Sequence, residues 1–91
     1  MKTNENFSLV YLEWLDSASS QGWSSIEDYK PDGIFCKSVG WIIRETEVLI
    51  TIASNIGAPT LDKSVDQACG WMTIPKAVIR ARRILNIGTI L

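Results

Sequence analysis

The stretch Gly70-Trp71-Met72-Thr73-Ile74-Pro75-Lys76-Ala77-Val78-Ile79-Arg80-Ala81-Arg82-Arg83-Ile84-Leu85 decides the fold. It reads as a strand that stops at a proline, makes one tight turn and resumes as a second strand carrying three arginines. Proline has no N–H to give a ladder, so Pro75 ends the first strand. Helix competes over Ala77 to Leu85, which is rich in Arg, Ala and Leu and follows a proline. The branched Val78, Ile79 and Ile84 and the shortness of the segment favour strand. A strand, a single turn and a last strand is how a small five-stranded barrel closes on itself.

Working back toward the N-terminus, Val48-Leu49-Ile50-Thr51-Ile52-Ala53-Ser54 is a near-continuous apolar run, which predicts a strand covered on both faces, one of them by another subunit. Asn55-Ile56-Gly57-Ala58-Pro59 ends it. Residues 57–69 are non-periodic, and two readings fit: an exposed hairpin loop, or a lid over a ligand. Ile34 to Thr46 is the longest strand, with Gly40 in its middle. Glycine inside a strand marks a bulge or bend, and a bend here lets one strand serve both halves of a barrel. Lys30-Pro31-Asp32-Gly33 is a turn signal in which Gly33 is free to take positive φ. Ser24-Ser25-Ile26-Glu27 has capping-box spacing and predicts one helical turn. Phe7 to Asp16 alternates, with Val10, Leu12 and Trp14 on one face and Leu9, Tyr11 and Glu13 on the other. The predicted fold is therefore mostly β, with strands at 7–16, 34–46, 48–55, 69–74 and 77–85 and a one-turn element before the last.

Ninety-one residues make one domain, 1–91, with a core over 7–85 and an apolar tail at 86–91. Net charge is −1, but it is unevenly spread. Residues 1–48 hold eight acidic and four basic side chains; residues 49–91 hold two acidic and five basic. Such a dipolar surface favours self-association or steering of an anion. The N-terminal residues lack the apolar segment of a signal peptide, and no apolar run reaches the length of about 20 residues that a membrane span needs. A cytoplasmic location without membrane contact is expected. Cys36 and Cys69 are too few for a disulfide framework and read as reduced, half-buried small hydrophobes; a redox pair requires their strands to be neighbours.

The chain has no histidine. That removes the commonest general base and metal ligand, and with it a conventional nucleophilic triad. The glycines fall at 22, 33, 40, 57, 70 and 88, none at phosphate-loop spacing. Glu13, Asp16, Glu45 and Glu47 offer carboxylates, but nothing singles out a pair. A non-enzymatic protein without cofactor or metal is expected.

Lys76, Arg80, Arg82 and Arg83 fall within eight residues, near Trp71 on the preceding strand and with Trp41 as a further aromatic. Guanidinium neutralises phosphate and indole stacks on bases, so these six residues are the candidate ligand site for a nucleotide or short nucleic acid. If extended, the last strand places Arg80 and Arg82 on one face and Arg83 on the other with Ile79, Ala81 and Leu85. Two blander readings compete. Edge strands carry charge to prevent unwanted pairing, and the tryptophans of Gly22-Trp23, Gly40-Trp41 and Gly70-Trp71 fill a small core.

The bent second strand with its central glycine, and the strand, Ile-Pro-Lys-Ala connection and strand at the end, resemble Sm-like small barrels. The chain is also similar to short uncharacterised proteins of bacteriophage genomes, through Trp14-Leu15-Asp16, Val39-Gly40-Trp41 and Ile74-Pro75 to Ile79. The first resemblance implies rings formed through the last two strands, and RNA binding in many members, although their uridine-binding loop motifs are missing here. The second implies a host-takeover or anti-defence factor acting in the host cytoplasm, a class that includes sponges for nucleotide signals. The combined expectation is an oligomerising module for an anionic ligand; the alternative is a structural or protein-interaction component with no small ligand.

Overall fold

A computed structural model of the chain describes residues 7–86. Five strands, β1 (Leu9–Asp16), β2 (Ile34–Glu45), β3 (Leu49–Gly57), β4 (Gln67–Pro75) and β5 (Ile79–Leu85), form one antiparallel sheet in the order β4-β3-β2-β1-β5. A 3₁₀ turn, Lys76–Val78, joins β4 to β5. β4 and β5 are the two edges of this order, so the sheet is not closed. The expected apolar tail at 86–91 falls almost wholly outside the described residues.

β2 changes partner beside Gly40, where the sequence predicts a bend. Residues 34–41 of β2 pair with β1, and residues 41–45 pair with β3. A side chain at Gly40 would sit 3.0 Å from the Ala53 carbonyl oxygen and 3.0 Å from Ile52 Cβ, a tight contact that would push β3 back, so the glycine favours this close approach. The one left-handed glycine among the described residues is Gly70, at φ 67° in the middle of β4. The Pro31-Asp32-Gly33 segment does not use positive φ and forms no assigned turn. The single helical turn near Ser24 is present, closed by Tyr29 N–H donating to the Ser25 carbonyl at 3.0 Å.

The core lies on one face of the sheet. Val10, Leu12, Ile50, Ile52 and Ile74 are buried together, with Trp14, Ile42, Val78 and Ile79 packed against them. Of the two faces that alternation separates on β1, the one with Val10, Leu12 and Trp14 is the inner one. Full burial of one such aliphatic side chain contributes about 1.5–3 kcal/mol. Both-face coverage of β3 is narrower than its apolar run suggests: Ile50, Ile52 and Ala53 are buried, while Leu49 and Ser54 are exposed. Gln67 and Ala68, outside the strand expected over 69–74, extend β4, because Asn55, Ile56 and Gly57 continue the hairpin register with Cys69, Ala68 and Gln67.

Pro75 sits opposite Leu49 at the end of an edge strand, where its missing N–H costs no ladder bond. The chain then tightens into the 3₁₀ turn, with Ile79 N–H donating to the Lys76 carbonyl. Lys76 N–H donates to the Val48 carbonyl at 2.8 Å and pins that turn to the β2–β3 connection. There the Thr46 hydroxyl accepts from the N–H groups of Val48 at 3.3 Å and Leu49 at 3.0 Å. Extended backbone resumes at Ile79, so the strand expected over 77–85 covers Ile79 to Leu85, while Ala77 and Val78 belong to the 3₁₀ turn.

Candidate functional site

The four cations expected to act together are divided by a β-bulge. On β1, Leu12 faces Arg82 and Glu13 faces Ala81, but Trp14 faces Ile79, leaving Arg80 as the extra residue. A bulge re-aims the side chains around it. Arg82 therefore shares the core-side row with Leu12, whereas Arg80 and Arg82 do not share the single face that plain alternation predicts. Arg80 places its guanidinium 5.0 Å from the ring centroid of Phe35, which lies opposite Leu15 on the outer face of the sheet.

Arg82 and Lys76 converge on one carboxylate. Arg82 donates from NH1 to Glu45 Oε2 at 2.7 Å and from NH2 to Oε1 at 3.0 Å. Lys76 Nζ lies 2.7 Å from the same Oε2. Glu45 ends β2 opposite Ile50, on the core side, which is why residues from three elements reach it. The hydrogen bonds from Arg82 and Lys76 hold its pKa down at about 2, against the partial burial that works the other way. The same contact raises Arg82 above its ordinary value. Two of the four candidate cations are thus neutralised inside the fold.

Arg83 lies opposite Tyr11 on the outer face. The Tyr11 hydroxyl donates a short hydrogen bond to the Glu13 carboxylate. That bond, with partial burial and the charge of Glu13, raises the Tyr11 pKa, while the positive Arg83 pulls it back. Tyr11, Glu13, Ala81, Arg82, Arg83 and Leu85 surround a shallow, mixed-charge recess of 350 Å³.

The candidate tryptophans are brought to one row, away from the β5 arginines. Trp41 and Trp71 both lie opposite Ala53, one from each side, and the row continues through Leu9 to Leu85. Trp41 is half-buried and Trp71 is 63% exposed. The register sets neither beside Arg80, Arg82 or Arg83. The cation that shares a hollow with Trp71 is Arg44, a residue outside the sequence-derived set. Between Ile42 and Arg44 a second register shift makes Ile43 the extra residue, so Arg44 pairs with Thr51. The hollow, 420 Å³, is walled by Ile43, Ile56, Val65 and Trp71 and rimmed by Arg44 and Asp66. The segment with two open readings, loop or lid, supplies Val65 and Asp66 to this wall. No sequence signal marks Arg44, because the bulge that aims it leaves no trace in residue type.

The cysteines are apart. Cys36 lies on β2 opposite Trp14 and Cys69 on β4 opposite Asn55, with β3 between those strands. Both are free thiols; Cys36 is half-buried, and Cys69 is exposed where half-burial was expected. Of the carboxylates, Glu45 is held by Lys76 and Arg82, Glu13 by Tyr11, and Asp16 accepts from Ser17 N–H at 2.8 Å. Among the described residues no three His, Cys, Asp or Glu side chains cluster to hold a metal ion. Nor is any helix among them long and apolar enough to cross a membrane. No protein-family model, curated protein or solved structure matches the chain.

Proposed function

We propose that the chain is a non-enzymatic binding module that works as a homo-oligomer, with β4 of one copy docking on β5 of the next. The observation that carries this reading is what the two edges expose. Met72 on β4 lies in the row of Ile42 and Ile52, and Ile84 on β5 lies opposite Val10; both face the core side, yet they are 42% and 54% exposed. Among the described residues thirteen large apolar side chains are exposed, against six buried apolar residues of any size. Such surface on a small domain marks an interaction face. Charge selects the pairing. Two copies of β5 side by side would set Arg80, Arg82 and Arg83 against their own kind, which is unfavourable across strands. β4, from Gln67 to Pro75, carries no charge. Joining β4 to β5 covers Met72 and Ile84 together and repeats head to tail, which generates rings when the rotation closes.

Closure into a small barrel of the Sm-like kind belongs to the same reading, as does the phage-type role of host takeover or anti-defence that the sequence resemblance implies. An anionic ligand of the oligomer, a nucleotide or short nucleic acid, would meet Arg80 and Arg83, which make no ion pair among the described residues. The interaction-only reading is favoured by the Glu45 clamp, since Lys76 and Arg82 are already neutralised. Sedimentation velocity at high micromolar concentration tests the assembly. The expected result is a species heavier than the 10.1 kDa chain that reverts to monomer in Ile84→Lys. A wild-type protein sedimenting as a clean monomer rejects it.

A further inference from the structure

The hollow between Trp71 and Arg44 is on a different part of the sheet from the β5 arginines of its own chain. The clamp at Glu45 does not use it, and Trp71 lies on the face of β4 opposite the one that carries Met72 into the proposed assembly. Its construction is that of a small-molecule site. Pockets for such ligands span about 300–1,000 Å³, are mostly apolar and carry a few convergent polar groups. This one has 420 Å³, with apolar walls from Ile43, Ile56 and Val65. Three separate features of the chain build it: the β2 bulge, the far end of the β3–β4 hairpin, and the last residues of the 58–66 connection. Asp66 N–H donates to the Gly57 carbonyl at 3.0 Å, which ties that connection down beside the hollow.

Two groups at the hollow have no partner that explains them. Trp71 leaves 63% of its surface in solvent, on the face of β4 turned away from the core. Arg44 is exposed and makes no ion pair among the described residues, although its neighbour Glu45 binds two cations. Consecutive strand residues point to opposite faces, and the registers with Thr51 and Ile50 put Arg44 and Glu45 on opposite sides of β2. The clamp therefore leaves Arg44 untouched. Asp66 on the rim sets the class of ligand further. Its carboxylate offsets Arg44 for a bare anion, so a bound molecule must bring flat apolar surface for Trp71 and a hydrogen-bond donor for Asp66 as well as negative charge.

We infer that this hollow binds a flat aromatic anion with the chemistry of an amino-bearing nucleoside monophosphate. The ring stacks on Trp71, the phosphate pairs with the guanidinium of Arg44, and a ring amino group donates to Asp66. Indole stacking and guanidinium pairing are the general modes for those two parts of a nucleotide. The inference does not need the oligomer, and the same samples examined by sedimentation separate the two claims.

Calorimetric titration with adenosine 5′-monophosphate as probe, and with adenosine and inorganic phosphate as comparators, tests it. The monophosphate binds the wild-type chain more tightly than either comparator. Trp71→Ala weakens monophosphate and adenosine alike, by about tenfold or more. Arg44→Gln weakens the monophosphate by about tenfold and leaves adenosine unchanged. Trp71→Phe keeps most of the affinity, which separates stacking from a folding defect, and Lys37→Gln, an exposed cation of β2 outside the hollow, has no effect. The inference is overturned if the monophosphate gives no binding at millimolar concentration, or if inorganic phosphate binds as tightly. It is equally overturned if Arg44→Gln and Trp71→Ala both bind like wild type, or if only Arg80→Gln weakens binding.

Discussion

The centre of the sheet and its two edges obey different rules. β1 and β3 supply five of the six buried core residues, Val10, Leu12, Ile50, Ile52 and Ala53, and their neighbours close over them on both sides. β4 contributes only Ile74 and β5 none. Both edges nonetheless carry apolar side chains in the core-facing rows, at Met72 and Ile84, and leave them in solvent. A protein that needed only to fold would place polar residues there, as edge strands commonly do. The centre holds the buried core; the edges leave apolar side chains in solvent.

Substitutions separate these regions by the size of their effect. The largest belongs to the centre: Ile50→Ala removes a fully buried side chain beneath the β2–β4 span and costs about 2–5 kcal/mol, read by chemical denaturation. Next comes the backbone of the β4 edge. Gly70→Ala must hold an L side chain at φ 67° and sets Cβ 2.3 Å from Ser54 Oγ, a combined cost of about 1–3 kcal/mol. Because the serine side chain can rotate away, Ser54→Ala in the same background should recover only the contact part. A Gly70→Ala protein as stable as wild type would show that the left-handed backbone is dispensable.

The Glu45 clamp links edge to centre and sharpens the contrast through pH. Its carboxyl titrates at about 2 in the fold, below its ordinary 4.5, so the clamp contributes fully above pH 4.5 and its contribution is lost as pH falls from there through about 2. The paired side chains are about a third exposed, which reduces the effect to roughly 1 kcal/mol. Denaturation midpoints measured at about pH 6 and about pH 2.5 should therefore fall more for wild type than for Glu45→Gln. Equal falls would mean that the clamp adds nothing to stability. The smallest effect on the single chain is at the outer edge: Ile84→Lys should change its stability by less than about 0.5 kcal/mol while removing self-association.

Much of this division was legible in the residues. Period-two alternation put Val10, Leu12 and Trp14 on one face, the proline at 75 ended β4, and Gly40 marked the place where β2 changes partner. The site was less legible, and for a physical reason. Alternation assumes an unbroken register, and two bulges break it: the extra residue at Arg80 parts it from Arg82, and the extra residue at Ile43 aims Arg44 beside Trp71. Nor does a basic cluster in sequence count free charge. Glu45 lies 31 residues from Lys76 and 37 from Arg82, so the neutralisation of both is a property of the sheet order alone.

The head-to-tail joining of β4 to β5 is tested most directly by mixing two disabled edges. Met72→Lys blocks β4, Ile84→Lys blocks β5, and each variant keeps one good edge. In native mass spectrometry each alone should appear as the 10.1 kDa chain, and an equimolar mixture should give a one-to-one dimer at twice that mass and nothing larger. A variant that still assembles with itself, or a mixture that stays monomeric, would contradict the account.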